Sequence, residues 1–494
     1  MAVFVLARIP SFFEPHWYAD EAGYATVARE LLRGKTLYVN AWNNKPPLQF
    51  WTLAVPVWLF GGSEAGLHAL TFISGLLTLG AVAYAARELL SPWRSCLAVL
   101  AVGLVLGMPI MDAELIVPES LLIAPAAWAG VLLITRLSRP EREASGLELW
   151  PVAVGALTAA AIGYQQTAVA DAAAFGLILA VAGRSWRRLA LYAGTAGGLT
   201  AAWLAAMMAA AGPHRVGFAL AGFYVDYTRS VLPQTVGGGL RHWGLVLLIV
   251  ALICAGALLQ RRNRNLSWGF WVWAGAVLCV SAAAHQAYAH FLAPAVAPTA
   301  LALAAIPPLR AIPTFSRRIQ GASLLLAAGV VTFGVMARSA GLDWIPNLSA
   351  PGMNTYRNLQ TYYGGAAWAA ADPGHRDAWQ YAFDDRVKGD AAAAAWIRAH
   401  GLSGHSTVVW SNEPWPYLLA DVPLLLPTPP IYNDMTLLGN NGPVAVRVRQ
   451  LNPELIVAAV DATQQYPEVN PVLHQNYRAV ESDGIVTVWL RRGL

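Results

Sequence analysis

The chain has 494 residues, of which 56% are hydrophobic and 12% charged, and its formal net charge is +5. So many apolar residues cannot fit inside one core, and a charged share about half the average excludes an ordinary soluble domain. The positive charge does not indicate nucleic-acid binding, because the arginines cluster between apolar blocks, as in the cytoplasmic loops of membrane proteins.

The N-terminal segment Met1–Pro10 is apolar but too short to span a bilayer, and it carries Arg8. It has neither the basic start nor the small-residue cleavage site of a signal peptide. We therefore expect the numbered start to lie inside a first transmembrane helix, with the native chain beginning further upstream.

The next segment, up to Trp51, contains two adjacent carboxylates, Asp20 and Glu21, and further on the run Lys45-Pro46-Pro47-Leu48. Five apolar residues between them follow helical spacing: Tyr24, Val27, Ala28, Leu31 and Leu32. With Gly34 as a stop, this pattern predicts a short helix along the membrane surface. Its carboxylates either interact with the helix dipole or have a catalytic role, and the two residues alone leave both interpretations open.

Ten further apolar segments approach or reach the roughly 20 residues that cross a bilayer as a helix. They lie near 64–90, 93–108, 115–137, 149–166, 168–183, 187–211, 242–259, 268–284, 288–308 and 319–338. With the N-terminal helix, the sequence predicts a multi-pass α-helical membrane protein of about eleven transmembrane helices. The three cysteines, Cys96, Cys254 and Cys279, lie in these segments and are interpreted as apolar fillers.

Arginines mark alternate loops between these segments. They are Arg87 and Arg94; Arg136, Arg139 and Arg142; Arg184, Arg187 and Arg188; Arg261, Arg262 and Arg264; and Arg310, Arg317 and Arg318. By the positive-inside rule these loops face the cytoplasm. The intervening loops, including the one with Asp20, and the chain after Arg338 then face the outer side of the inner or plasma membrane.

Two of the outward loops contain further ionisable residues. Asp112 and Glu114 lie in one, with Glu119 just inside the following helix, and His285 and His290 flank the outer start of a late helix. Ionisable groups at membrane depth are costly and usually functional, although a solvated loop explains Asp112 equally well.

From about Gly341 charged and polar residues return, and apolar runs shorten to strand length at Thr407–Trp410, Leu455–Val460 and Ile485–Leu490. Helical segments lie between them, at Asp390–His400 and Pro443–Leu451. The alternation predicts a soluble α/β domain over 341–494, following a transmembrane domain over 1–340. It lacks nucleotide-binding or zinc-ligand spacing, so we expect this domain to bind or cover a substrate.

Two stretches resemble a known family. The run from Tyr18 through Asp20, Glu21 and Lys45-Pro46-Pro47-Leu48 to Ala65 is similar to the start of bacterial GT-C glycosyltransferases. The branch in question contains the protein O-mannosyltransferases and the lipid A aminoarabinose transferase. Ala289–Pro298 resembles a late helix of that branch, and the similarity is strong only over about 17–90 and 288–298.

The resemblance implies a GT-C fold and an enzyme that moves a sugar from a polyprenyl-phosphate carrier to an extracytoplasmic glycan, lipid or protein acceptor. Asp20 would then be the general base, with Glu21 in support, because the attacking acceptor hydroxyl must lose a proton. Lys45 and His290 would contact the donor phosphate. Asp112 and Glu114, with Tyr24, would face the acceptor cavity.

The sequence assigns no cofactor, and a divalent metal stays open as an alternative. His285 and His290 could form a site of mixed nitrogen and oxygen ligands with Asp20, Glu21 or Glu114. Against this, Asn44 stands before Lys45, where the aminoarabinose transferase has a Glu.

Two other classes stay open. A multi-pass transporter would also have buried charges, but it typically shows repeated halves, and none is visible here. A polymerase or ligase of lipid-linked glycans would keep its key residues in a large late loop. The outer loop 213–241, which is followed by His242, suits that class, or it binds acceptor or carrier in a transferase.

Overall fold

A computed structural model of the chain describes residues 1–139, 149–183, 185–225, 267–283, 289–306, 359–438 and 442–494. The chain divides into two compact units. The first unit comprises Met1–Ile9, Thr71–Ala206 and Leu220–Pro346, and the second comprises Pro10–Leu70, Met207–Ala219 and Asn347–Leu494. The predicted boundary between 1–340 and 341–494 lies outside the described residues and stays a prediction.

Up to residue 306 the described chain is built from helices. In chain order they are α1 (Ala2–Arg8), α2 (Ala19–Leu32), α3 (Pro47–Phe60), α4 (Glu64–Leu89), α5 (Pro92–Gly107), α6 (Pro118–Ser138), α7 (Trp150–Tyr164), α8 (Val169–Ala182), α9 (Trp186–Ala211), α10 (Pro213–Gly217), α11 (Trp268–Ala283) and α12 (Ala293–Ala304). Prolines begin α3, α5 and α6, where the missing N–H is not needed and the fixed φ suits the first turn.

These helices occupy every predicted transmembrane segment that falls within the described part of the chain. The segments 242–259 and 319–338 lie outside it. Among the described residues, α4, α6 and α9 are both long and apolar enough to cross a bilayer, judged by length and composition. Helix α3 was not predicted. Its segment contains Pro46, Pro47 and Pro56, and prolines are more typical of a loop than of a helix interior, so the sequence indicated a loop there.

The core of the first unit is formed by apolar side chains from several of its helices, among them Phe4, Leu79, Val102, Ile134 and Phe175. Helices α6 and α11 approach closely at Gly130, where a Cβ atom would lie 2.6 Å from the ring of Trp273. The Trp273 indole N–H donates to the buried carboxylate of Asp171 at 2.6 Å. Asp171 therefore has a structural partner inside an otherwise apolar helix.

In the second unit, a four-stranded sheet is flanked by short helices. The helices are α13 (Leu359–Ala371), α14 (Gly374–Tyr381), α15 (Arg386–Ala399), α16 (Trp415–Leu419), α17 (Ile431–Leu438), α18 (Pro443–Leu451), α19 (Val460–Gln465) and α20 (Asn470–Asn476). The strands are β1 (Thr407–Trp410), β2 (Leu455–Ala459), β3 (Tyr477–Ser482) and β4 (Val486–Arg491). Helices and strands occupy the predicted positions, and β3 is an additional strand.

The sheet has the order β1-β2-β4-β3, with β1 and β2 parallel and the other pairs antiparallel. Both faces are covered, because Val408 and Ile456 pack in one core with α18, while Val409 and Val457 pack in another with α15. Every residue of β1 and β2 is buried, as expected for strands covered on two faces.

Candidate functional site

Helix α2 presents its two carboxylates in the first turn, as predicted. Its N-cap residue, Tyr18, makes no side-chain capping bond, so Asp20 and Glu21 supply the negative charge near the positive end of the helix dipole. Asp20 is half-buried, whereas Glu21 is fully buried. One turn on, the buried ring of Tyr24 packs edge-to-face against Phe50 of α3, with centroids 6.1 Å apart.

The interior of α2 is buried nearly all round, from Glu21 to Glu30. The predicted single apolar face is therefore too narrow, and Leu32, which was placed on it, is 49% exposed. The predicted stop is confirmed, because the helix ends at Leu32 and Gly34 has a φ of +88°.

The backbone of Lys45 is held at the entrance to α3. Tyr38, which is itself buried with a φ of +66°, donates its hydroxyl to the carbonyl of Lys45 at 2.8 Å. The Lys45 N–H donates to the Asn43 side-chain oxygen at 3.2 Å. Pro46 is extended and Pro47 begins α3, so the Lys-Pro-Pro run fixes where the half-buried lysine leaves the backbone.

A buried cluster that the sequence analysis did not predict lies beside Glu21. His68, one turn into α4, places Nε2 3.0 Å from Glu21 Oε1 and Nδ1 2.5 Å from the carbonyl of Ser11. Glu64, at the start of α4, completes a group whose ligand-type atoms all lie within 4.8 Å of one another. The spacing of Glu64 and His68 at i and i+4 on an apolar helix was the available signal.

Glu14 adds a third carboxylate to this neighbourhood. It accepts hydrogen bonds from the Tyr362 hydroxyl at 2.5 Å and from the Trp17 indole at 3.1 Å. Burial raises the pKa of the Glu14 carboxyl, and the nearby Glu21 adds to this, while His68 and the two hydrogen bonds oppose it. The neighbouring His16 has its pKa lowered to about 4, mainly by burial, so it is neutral at pH 7.

In the first unit, two predicted residues from distant parts of the chain meet. His290 Nδ1 lies 3.3 Å from Asp112 Oδ2, and both side chains are nearly buried. Asp112 has a left-handed φ of +50°, and its carbonyl accepts a hydrogen bond from the Ser120 hydroxyl. His285, the other predicted histidine, lies outside the described residues.

Glu114 and Glu119 have buried structural partners. Arg8 lies 3.9 Å from the Glu114 carboxylate and donates to the Thr71 hydroxyl at 2.7 Å, and that hydroxyl donates to the Glu114 carbonyl. The Gln165 amide donates to Glu119 at 2.8 Å. One oxygen of the Glu119 carboxylate is thereby satisfied, whereas among the described residues its Oε2 atom has no hydrogen-bond partner.

No protein-family model matches the sequence, and a search of curated proteins finds no match. Solved structures do match. ArnT from Cupriavidus metallidurans bound to undecaprenyl phosphate aligns over 99% of this chain and 96% of that chain, with 19% identity and a TM-score of 0.62. Its apo state aligns over the same shares, with 18% identity and a TM-score of 0.60. The oligosaccharyltransferase of Archaeoglobus fulgidus in complex with Zn and sulfate aligns over 99% of this chain and 73% of that chain, with 15% identity and a TM-score of 0.44.

The two ArnT alignments extend over nearly the whole length of both chains. ArnT is a lipid A aminoarabinose transferase of the GT-C group. The chain therefore has the GT-C fold, which confirms the fold that the motif resemblance implied.

Proposed function

We propose that this protein is a membrane glycosyltransferase that moves a sugar from a polyprenyl-phosphate donor to an acceptor on the extracytoplasmic side of the inner or plasma membrane. The observation that carries the proposal is the full-length fold match to an ArnT that binds undecaprenyl phosphate. The apolar helices α4, α6 and α9 support a membrane location.

In the proposed reaction, an acceptor hydroxyl attacks the anomeric carbon of the sugar. The new glycosidic C–O bond forms as the bond from that carbon to the phosphate oxygen breaks, and polyprenyl phosphate departs with the electron pair. The hydroxyl proton passes to Asp20, which acts as general base. Glu21 is buried against His68 and acts by holding the first turn of α2 in place.

Lys45 is proposed to meet the departing phosphate as a point charge, since its backbone is fixed by Tyr38 and Asn43. His290, which lies beside Asp112, is proposed as a further phosphate or sugar contact. Asp112 and Glu114 are proposed as cavity residues together with Tyr24. Glu114 would have this role in addition to its ion pair with Arg8.

The test of Asp20 uses lipids from a strain that lacks the protein. A polyprenyl-phosphate sugar should accumulate there, and the wild-type gene should clear it. Asp20→Asn keeps the shape of the side chain and suits a helix start as well as Asp does, but it removes the proton acceptor. We therefore expect turnover to fall by about 10²–10⁴-fold while the KM for the extracted donor stays near its wild-type value.

Asp372→Asn is the matched control, because Asp372 is an exposed carboxylate that accepts a bond from the Gly374 N–H at the start of another helix. It should clear the lipid at the wild-type rate. Normal turnover by a folded Asp20→Asn protein would contradict the assignment of Asp20 as the base. A deletion strain with no accumulated polyprenyl-phosphate sugar would contradict the proposed donor.

Lys45 is tested by the donor dependence in the same assay. Removing one charge-assisted contact should cost roughly 1.5–3 kcal/mol, so Lys45→Ala should raise the donor KM by about 10–100-fold. Lys388→Ala, at an exposed lysine of α15, serves as the control and should leave the donor KM unchanged. An unchanged donor KM in Lys45→Ala would remove Lys45 from the phosphate site.

A further inference from the structure

The buried cluster of Glu21, Glu64 and His68 is arranged as a set of metal ligands. Two carboxylates and one imidazole offer one ligand atom each, and these three atoms lie within 4.8 Å of one another. Bonds of about 2.0–2.2 Å to a tetrahedral Zn²⁺ ion place neighbouring ligand atoms roughly 3.4 Å apart. Small side-chain rotations would bring the three atoms to that spacing.

His68 is held in the tautomer that a metal ligand requires. The Ser11 carbonyl can only accept a hydrogen bond, so the Nδ1 atom 2.5 Å away must carry a proton. The neutral ring then directs the lone pair of Nε2 toward Glu21 Oε1, which is also an acceptor, at 3.0 Å. A cation or a proton must lie between them. Metal-binding histidines commonly donate their second ring N–H to a backbone carbonyl in this way.

Glu64 favours a cation over a single shared proton. Its side chain is 95% buried, and among the described residues neither of its carboxylate oxygens has a hydrogen-bond partner. A proton shared by His68 and Glu21 does not neutralise Glu64, which would have to take up a second proton, because the dipole of α4 offsets only part of a buried charge. One divalent ion in contact with all three groups would satisfy them together.

The surroundings add negative potential without competing for the ion. Glu14 lies near the cluster, but its two oxygens accept bonds from Tyr362 and Trp17. An oxygen-rich set with one imidazole suits Zn²⁺ and related divalent ions.

We propose that Glu21, Glu64 and His68 bind a structural divalent cation of the Zn²⁺ class. The ion ties the first turn of α2 to the first turn of α4 and, through Ser11, to the segment that precedes α2. This site differs from the one expected from His285 and His290. It does not depend on the proposed transferase activity, since occupancy is measured without substrate.

The test measures the metal content of the full-length protein, purified in detergent with an affinity tag that lacks histidine. The protein is stripped with a chelator, incubated with excess Zn²⁺ and freed of unbound ion. Wild type should retain about one equivalent, and Glu64→Gln should bind Zn²⁺ at least 10-fold more weakly. Glu119→Gln is the matched control, because Glu119 is equally buried in the first turn of α6 but is hydrogen-bonded to Gln165, and it should bind like wild type.

A wild-type protein that retains no Zn²⁺ would overturn the proposal in favour of a shared proton, and so would equal binding by Glu64→Gln. A second measurement needs only wild type, in case the variant does not fold. X-ray absorption of the Zn²⁺-loaded protein should show one imidazole among oxygen ligands at about 2.0–2.2 Å. A coordination shell without nitrogen, or with two or more imidazoles, would also overturn the proposal. Metal removal should in addition speed hydrogen exchange in the first turn of α2.

Discussion

Asp390 of α15 is a buried carboxyl in a charged neighbourhood. It is 2% exposed, and among the described residues its Oδ1 atom has no hydrogen-bond partner. Burial raises its pKa well above the usual value, with Glu413, Asp384 and Asp483 adding to the effect and Arg386 opposing it. Burial likewise raises the pKa of Glu413 to about 7, although Glu413 contacts Arg386 directly.

Both carboxyls bind a proton more tightly in the folded protein than in the unfolded chain. Their contribution to stability is fully present below the unfolded pKa and is lost as the pH rises through the folded pKa. For Glu413 this window extends from the ordinary value of 4.5 to about 7. The second unit should therefore lose stability between mildly acidic and neutral pH.

Asp390→Asn should reduce this pH dependence, because the amide resembles the protonated acid and cannot ionise. We expect it to stabilise the protein at pH 8 by on the order of 1 kcal/mol, with little effect at pH 5. The measurement is the thermal midpoint of the full chain in detergent from pH 5 to 8. Asp385→Asn, at an exposed position just before the same helix, is the control. If Asp390→Asn retained the wild-type pH dependence, the assigned pKa shift would be wrong.

For individual residues, local motifs were enough to predict Asp20, Glu21 and Lys45 as candidate site residues, since each lies in a short recognisable run. The cluster around His68 could not be predicted in this way, because its groups are brought together by the packing of α2 against the start of α4. Asp112 and His290 were predicted singly, but their contact joins positions 178 residues apart, and no local pattern indicates it.

Among the secondary structure elements, α2 is anchored to the sheet-containing part of the second unit by one buried guanidinium. Arg29 donates to the carbonyl of Tyr417, to that of Val422 at 2.6 Å and to Glu30 at 3.0 Å. Lys35 strengthens the anchor through an ion pair with Glu30 at 2.7 Å. The helix that carries Asp20 is therefore held at its far end by a buried polar network.

Replacing Arg29 by Met should destabilise the second unit strongly, because it leaves Glu30 and two backbone carbonyls in a buried site without this donor. A loss of roughly 3 kcal/mol is expected for breaking a buried ion pair. Arg33→Met is the matched control. Arg33 also pairs with Glu30, at 3.1 Å, and with Asp421, at 2.5 Å, but its side chain is 35% exposed, so its loss should cost less than about 1 kcal/mol.

The comparison of Arg29→Met with Arg33→Met is made on the thermal midpoint of the full chain and on the protease sensitivity of residues 19–35. Equal midpoints for the two variants would show that Arg29 does not anchor α2.

The elements that the sequence predicted are those with a strong local signal. Long apolar blocks identified the described apolar helices, and short buried runs identified β1, β2 and β4. Strand β3 was missed because its residues after Tyr477 are mostly polar and exposed, without the alternation of a half-buried strand. Helix α2 was predicted with too narrow an apolar face, because its polar residues are buried by partners far along the chain.

At the scale of the whole molecule, the resemblance over 17–90 and 288–298 was enough to predict the GT-C fold. Apolar blocks and arginine-rich loops are properties of single segments, so they are visible before any packing is known. The assembly of loops into a site depends on which segments come together, and that information is spread over the whole chain.

The orientation in the membrane is the property on which the proposed mechanism depends most. Arginines mark alternate loops, so a chain that obeys the positive-inside rule has Arg139 in the cytoplasm and everything after Arg338 outside. Alkaline phosphatase fused after Arg338 or after Leu494 should therefore be active, whereas a fusion after Arg139 should be inactive. Green fluorescent protein at the same sites should show the opposite pattern, which controls for expression.

A reversed pattern of phosphatase activity would put Asp20 in the cytoplasm and would contradict a reaction on the extracytoplasmic side. Phosphatase activity after Arg338 but not after Leu494 would indicate a further crossing and would contradict an outer C-terminal domain.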